Sequence, residues 1–118
     1  MRIARFIYFT NDVARMVAFY RDILGLAILN PPRAMDYDKS DWVQLASDGI
    51  EIGIHRAAKA GNTGLNRNKL VFVVDNVANA REQLGNRGVR MGKHHVASEF
   101  ECCDFKDPDG NVLQLSSR

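Results

Sequence analysis

The chain has 118 residues, 46% hydrophobic and 25% charged, enough for one domain with a buried core and too apolar for disorder. A formal net charge of +2 without a Lys/Arg run gives no support for nucleic-acid binding. No apolar stretch approaches the roughly 20 residues that cross a bilayer, and the amino terminus lacks the apolar core of a signal peptide. We therefore expect a cytoplasmic protein without nucleic-acid or membrane partners.

The first half of the chain predicts a strand, an amphipathic helix and three further strands. Arg2–Phe9 is rich in β-branched and aromatic residues. Helical spacing follows over Val13–Leu24, behind Asn11 and Asp12, either of which can cap a helix, and Gly25 stands where helices commonly end. The remaining predicted strands are Leu26–Asn30, Trp42–Ser47 and Ile50–His55.

The second half repeats this order. Val77 opens a second predicted helix 64 positions after Val13, behind the capping pair Asp75 and Asn76, and that helix ends near Gly88. Its flanking predicted strands are Lys69–Val74, Val89–Lys93 and a hairpin that turns at Asp107–Asn111. Two β-α-β-β-β modules, residues 1–56 and 69–118, joined by a linker at residues 57–68, then make up a single domain of residues 1–118.

The first hairpin predicts its own register. Asp48-Gly49 is typical of a type I′ turn, which places Trp42 opposite His55 and Gln44 opposite Gly53. Alternation then gives one apolar face and one mixed face. The mixed face holds Trp42, Gln44, Ala46, Glu51, Gly53 and His55. Such a mixture favours a lined cavity, and a solvated sheet face is the alternative.

Alternation in the second hairpin places Gln114 on the cavity face, between two core leucines. Cys102 and Cys103 are sequence neighbours, and we expect both to be reduced thiols. His94 and His95 fall in a predicted loop. The pattern does not assign the facing of these four side chains.

The phrases FYRDILGL at Phe19–Leu26 and DPDGNVLQL at Asp107–Leu115, together with the repeat, resemble the vicinal oxygen chelate superfamily. This group contains glyoxalase I, methylmalonyl-CoA epimerase, extradiol dioxygenases, fosfomycin-resistance enzymes and bleomycin-binding proteins. The resemblance implies an α+β fold in which two βαβββ modules form an open, cup-shaped barrel of mixed sheet. It also implies a homodimer, with the cup built within one chain or across two.

In metal-using members of that superfamily, four cup-facing positions hold a divalent cation. The resemblance places these positions at Arg5, Glu51, Lys69 and Gln114. Arg has no lone pair to donate, and Lys must first lose a proton, so this quartet predicts a metal-free cup with no cofactor. We expect Glu51 to pair with Arg5 or Lys69 and to leave a net positive character.

A rival metal site would use Glu51, His55 and either His94 or His95. Glu51 and His55 are separated by Gly53, roughly 13 Å along a strand, which is too far for one ion. This set is the weaker hypothesis. We expect a divalent metal only in the alternative in which the protein uses such a site.

The leading functional hypothesis is a protein that binds a small anionic or oxygen-rich molecule. Trp42 would supply a flat wall, with Ile7, Phe9, Val71 and Val73 along the same strand faces. Hydrogen bonds would come from Gln44, His55 and Gln114, and charge from Arg5 or Lys69.

Two other readings stay open. One is a lyase or isomerase of the same superfamily with an atypical or metal-independent site, in which Glu51 or His55 is the candidate base. Among the enzyme hypotheses a dioxygenase is less favoured, because dioxygenase chemistry needs a redox iron site. The other is a structural or interaction domain that keeps the fold without a working cup.

Overall fold

A computed structural model describes residues 1–32, 36–61 and 67–118 of the chain. The chain forms two compact units, unit 1 over Met1–Asn62 and unit 2 over Thr63–Arg118. Each unit carries one α-helix and one four-stranded mixed sheet, so the fold is α+β. Residues 62–66 of the predicted linker lie outside the described residues, and the module limits at 56 and 69 stay predictions.

The sheet of unit 1 has the strand order β1-β4-β3-β2. Its elements are β1 (Arg5–Thr10), α1 (Val13–Ala18), β2 (Ala27–Asn30), β3 (Trp42–Ala46) and β4 (Glu51–Arg56). Strand β1 runs parallel to β4, and the other two pairs are antiparallel. A single 3₁₀ turn, Tyr37–Lys39, precedes β3.

Helix α1 covers one face of this sheet. Asp12 caps it by accepting a hydrogen bond from the Arg15 amide at 3.0 Å. The face beneath it holds the buried core residues Tyr8, Val43, Leu45, Ile52 and Ile54. The opposite face, here named the helix-free face of unit 1, carries the alternate residues of β1, β3 and β4. They are Arg5, Ile7, Phe9, Trp42, Gln44, Glu51, Gly53 and His55.

The predicted helix over Val13–Leu24 changes its winding part-way. Regular α-helix ends at Ala18, and Phe19–Ile23 continues as a π-helical turn in which the Leu24 amide donates to the Phe19 carbonyl at 3.1 Å. The wider turn keeps Tyr20 fully buried, with its ring centroid 5.9 Å from that of Tyr8. Gly25 follows with a φ of 79°, as expected for a glycine that ends a helix.

Unit 2 repeats this topology, with the strand order β5-β8-β7-β6. Its elements are β5 (Leu70–Val73), α2 (Val77–Asn86), β6 (His94–Ala97), β7 (Phe100–Lys106) and β8 (Val112–Ser116). Asn76 caps α2 by accepting from the Asn79 amide at 2.8 Å. Cys103, Phe105, Leu113 and Leu115 are buried on the face toward α2.

Three local predictions are wrong. Val89–Lys93 is not a strand; the strand is His94–Ala97, because its backbone pairs with β7 from Cys103 to Phe100. The loop predicted at His94 and His95 is therefore also wrong. The first hairpin does not turn through type I′ geometry, since Gly49 has a positive φ of 126° and Asp48 does not. The predicted pairing of Trp42 with His55 and of Gln44 with Gly53 is confirmed.

Among the described residues, neither helix is long and apolar enough to cross a membrane.

Candidate functional site

A polar triad lies at one end of the helix-free face of unit 1. Arg5 and Glu51 are opposite each other on β1 and β4, and Arg5 Nε donates to Glu51 Oε2 at 3.2 Å. Gln44 Nε2, on β3, donates to the same oxygen at 2.7 Å. Within the described part of the chain, all side-chain donors to this carboxylate meet at Oε2. Oε1 is therefore the oxygen that can accept a hydrogen bond from a ligand.

Aromatic rings continue this face away from the triad. The Trp42 ring centroid lies 5.9 Å from that of His55, and the Phe9 ring lies 5.1 Å from His55 on the other side. Phe9 is 62% exposed, which is unusual for a phenylalanine on a strand and leaves its ring available for contact. The Arg5 guanidinium carbon is 5.8 Å from the Trp42 ring centroid. Polar and aromatic groups thus share one surface.

The hydrogen bond of His55 sets its tautomer. Nδ1 lies 2.7 Å from the backbone carbonyl oxygen of Arg56. A carbonyl oxygen only accepts, so Nδ1 carries the proton and the neutral ring keeps its lone pair on Nε2. His55 therefore offers an acceptor, and a base, at Nε2.

Unit 2 holds a second polar triad. Lys69 Nζ lies 2.7 Å from Asp104 Oδ2, and Gln114 Nε2 donates to Asp104 Oδ1 at 2.8 Å. Burial opposes ionisation of Asp104, but the hydrogen bonds from Lys69 and Gln114 outweigh it and lower the pKa of this carboxyl group. Sequence reasoning missed Asp104. The alternation of Asp104 and Lys106 with buried Cys103 and Phe105 was the signal for it.

Each triad contains one cation and one carboxylate. Glu51 pairs with Arg5, one of its two predicted partners, whereas Lys69 pairs with Asp104. The expected net positive character is therefore wrong, because an acid that the sequence analysis did not place neutralises Lys69. Neither triad carries a net formal charge.

The histidines and cysteines of unit 2 separate onto two faces. His94 is opposite Cys103, and His95 is opposite Cys102, so the two neighbours point to opposite sides of the sheet. His94 Nε2 lies 2.8 Å from Glu101 Oε2. Both thiols are free and buried, and burial raises the pKa of Cys103.

The sequence matches the family described as Glyoxalase/Bleomycin resistance protein/Dioxygenase superfamily over residues 2–115. The chain belongs to this superfamily. The resemblance drawn from the helix-end phrase and the DPDG turn is thereby confirmed, as is the α+β glyoxalase-like fold.

The chain is also similar to individual proteins, at low sequence identity. The uncharacterised protein YraH of Bacillus subtilis is 28% identical over 124 aligned positions, which cover 98% of this chain and 97% of YraH. The crystal structure of UcmS2 superposes with a TM-score of 0.81 at 18% identity, covering 100% and 98% of the two chains. TnmS3, an antibiotic binding protein from a Streptomyces species, gives 0.73 at 22% identity, covering 98% and 93%. At these identities the structural similarity shows the fold alone.

The strand registers show which residues of the two units are equivalent. Ile7 pairs with Gly53 on β4, and Val71, which lies 64 positions later, pairs with Gln114 on β8. Gly53, not Glu51, is therefore the register equivalent of Gln114. This register differs from the expected repeat of Glu51 by Gln114, because the segments between first and last strands differ in length, while the placement of the superfamily positions at Arg5, Glu51, Lys69 and Gln114 stays a prediction.

The side chains at these positions do not suit a divalent cation. Arg5 cannot coordinate a metal, Lys69 is paired with Asp104, and Gly53 has no side chain. The Glu51 carboxylate already forms an ion pair with Arg5. Among the described residues, no group of three or more His, Cys, Asp or Glu side chains is placed to hold a metal. The rival set of Glu51, His55 and either His94 or His95 therefore does not form such a group.

Proposed function

We propose that the protein binds a small oxygen-bearing molecule on the helix-free face of unit 1, and that it does so without a metal ion or other cofactor. The observation that carries this proposal is the shared surface of Phe9, Trp42 and His55 beside the Arg5–Glu51–Gln44 triad. Ligand sites in proteins combine an apolar wall with a few convergent polar groups. The antibiotic-binding member TnmS3 supports a binding role within the same fold.

The parts of the face would have separate roles. Trp42 and Phe9 would cover the apolar part of the ligand, while Arg5, Gln44 and Glu51 would meet its oxygens. His55 Nε2 would accept one further hydrogen bond. In unit 2, Lys69 and Gln114 stay predicted ligand-binding residues.

Trp42 makes this proposal directly measurable, because it is the only tryptophan in the chain. A panel of metabolites and antibiotics would be titrated against its fluorescence, and hits would be checked by thermal unfolding. A ligand at about one hundred times its Kd should stabilise the fold by about 2.7 kcal/mol. Calorimetry on the unaltered protein serves as the control for optical artefacts, since the heat of binding does not depend on tryptophan fluorescence.

Metal content tests the second half of the proposal. Elemental analysis of untagged protein, before and after dialysis against zinc, nickel, manganese and iron salts, should give less than about a tenth of an ion per chain. Near-stoichiometric metal that survives dialysis would contradict a metal-free site.

A metal-independent isomerase or lyase is the second candidate, and the tautomer of His55 favours it. A neutral imidazole with its lone pair on Nε2 can remove a proton from a bound hydroxyketone or similar carbon acid. A ligand identified above would be incubated with the protein in deuterium oxide. Carbon–hydrogen exchange that is lost in His55→Gln would support this candidate, while binding without exchange would leave the binding role alone.

We also propose a homodimer and a cytoplasmic location, on the family resemblance and the sequence composition. Light scattering of the eluting chromatographic peak measures the first, and cell fractionation measures the second.

A further inference from the structure

We infer that the ligand of unit 1 is a flat, uncharged ring with hydroxyl or amide groups, and that Gly53 shapes the site for it. This inference rests on the proposed function, since it names the class of molecule that the same face binds. Three observations carry it: the space at Gly53, the charge balance of the triad and the exposure of Phe9.

Gly53 leaves room for the outer edge of the Trp42 ring, and no unusual backbone conformation calls for a glycine there. It is buried on β4, and its φ is not among the positive values of the chain. A Cβ atom at this position would lie 2.6 Å from Trp42 Cζ3, 3.2 Å from Cζ2, and closer still to Cη2. Real Cβ atoms essentially never come within 3.0 Å of such neighbours, so the indole lies directly on the strand backbone.

The strand register shows which side chain of unit 2 corresponds to Gly53 and the Trp42 ring beside it. Gly53 stands where unit 2 has Gln114, a polar side chain that bonds to Asp104. In unit 1 the polar side chain is missing, and the Trp42 ring covers the vacated backbone. A flat apolar surface therefore occupies a position that is polar in the sister unit, and flat surfaces favour stacked rings.

The charges on this face favour an uncharged ligand. The Arg5 guanidinium is engaged by Glu51 and lies over the Trp42 ring, 5.8 Å from its centroid, so an anion would have to compete with an existing carboxylate. Glu51 Oε1 and His55 Nε2 are acceptors, which calls for hydroxyl or amide donors on the ligand. Of the two expected kinds of ligand, anionic and oxygen-rich, we therefore infer the oxygen-rich and uncharged kind.

Phe9 indicates the size of the ring system. It is 62% exposed and tilted at 39° to His55, which lies between it and Trp42. A ligand of one or two fused rings can cover Trp42 and reach toward this phenylalanine. The equivalent residue of unit 2, Val73, is aliphatic, so the aromatic surface is particular to unit 1.

The test uses three matched probes: 2,7-dihydroxynaphthalene, its saturated decalindiol analogue, and 2-naphthoate. Binding is followed through the single indole N–H signal of Trp42 in proton–nitrogen correlation spectra and by calorimetry. The dihydroxy ring should bind more tightly than both other probes. Preference for the decalindiol would refute stacking, and preference for the naphthoate would refute charge neutrality, while either would leave the proposed binding function standing.

Gly53→Ala tests the role of the glycine. The added methyl group should push the Trp42 ring off the strand, shift its indole signal and weaken the dihydroxy probe about tenfold. Gly85→Ala is the matched control, because a Cβ there meets nothing within 4 Å. Thermal unfolding confirms that both variants are folded.

A Trp42→Phe background separates positioning from general damage. A phenyl ring lacks the outer indole atoms that the Cβ would meet, so Gly53→Ala should then cost little further affinity. An equal loss in both backgrounds, or no loss in the wild-type background, would overturn the role of Gly53. If no probe and no member of the wider panel binds the folded protein, both this inference and the proposed function fail.

Discussion

Replacing Asp104 by asparagine tests whether charge holds the polar triad of unit 2 together. Asp104 accepts from Lys69 at 2.7 Å and from Gln114 at 2.8 Å, one donor on each carboxylate oxygen. Asparagine keeps the shape of the side chain but has no charge to attract the ammonium group of Lys69. The variant therefore removes the ionic part of the triad and leaves the sheet intact.

The expected loss follows from the exposure of the pair. The side chains of Lys69 and Asp104 are 38% and 48% exposed, so solvent screens their attraction. We expect Asp104→Asn to lower the free energy of unfolding by about 1 kcal/mol at neutral pH, the upper end for exposed pairs.

The pH dependence of this loss has a definite sign. The folded protein lowers the pKa of Asp104 below the ordinary 3.8, so the carboxylate stabilises the fold fully above that ordinary pKa. The stabilisation falls as the pH drops from there through the folded pKa. The difference between wild type and Asp104→Asn should therefore be constant near neutral pH and shrink in acid.

Urea unfolding at about pH 7 and about pH 3 measures this difference. The set comprises the wild type, Asp104→Asn, Lys69→Met and the double variant, so that the coupling free energy of the pair is obtained directly. An equal destabilisation at both pH values, or single-variant effects that simply add at neutral pH, would refute the ionic interpretation.

Three further predictions concern metal affinity, thiol reactivity and helix capping. The double variant Arg5→His, Lys69→His places an imidazole beside a carboxylate in each unit. It should bind zinc measurably by calorimetry. Undetectable binding would count against Arg5 and Lys69 as superfamily ligand positions. Cys103 should be alkylated much more slowly in the folded than in the urea-unfolded protein, by mass spectrometry, because burial raises its pKa. Asn76→Ala removes the cap that accepts from Asn79 and should cost about 1 kcal/mol in urea unfolding, and a loss near zero would show that the cap is dispensable.

Local rules accounted for most of the secondary structure. The caps at Asp12 and Asn76 are each one of two neighbouring candidates in the sequence, because capping depends on side chains within three residues. The pairing of Trp42 with His55 was also predictable, since a short turn leaves little freedom in register. The strand at His94–Ala97 was missed because it is defined by its partner, β7, and not by its own composition.

The site was less accessible to sequence reasoning. Alternation placed Trp42, Gln44, Glu51 and His55 on one face, and the structure agrees. The equivalence of Gly53 with Gln114 was hidden, because it depends on how β1 and β5 pair with strands distant in the chain. Asp104 was missed for the same reason. Its register on β7 depends on the turn that joins β7 to β8, and the length of that turn left the pairing open in the sequence.

The amino-acid sequence by itself therefore determined the superfamily, the α+β class, the repeated order of elements and the facing of residues next to short turns. These properties depend on periodicity and local chemistry. The tertiary structure alone decided that Lys69 is neutralised by Asp104 and that Trp42 lies across Gly53. The first contact joins the residue just before β5 to β7, and the second joins β3 to β4, so both exist only once the strands have paired in one register.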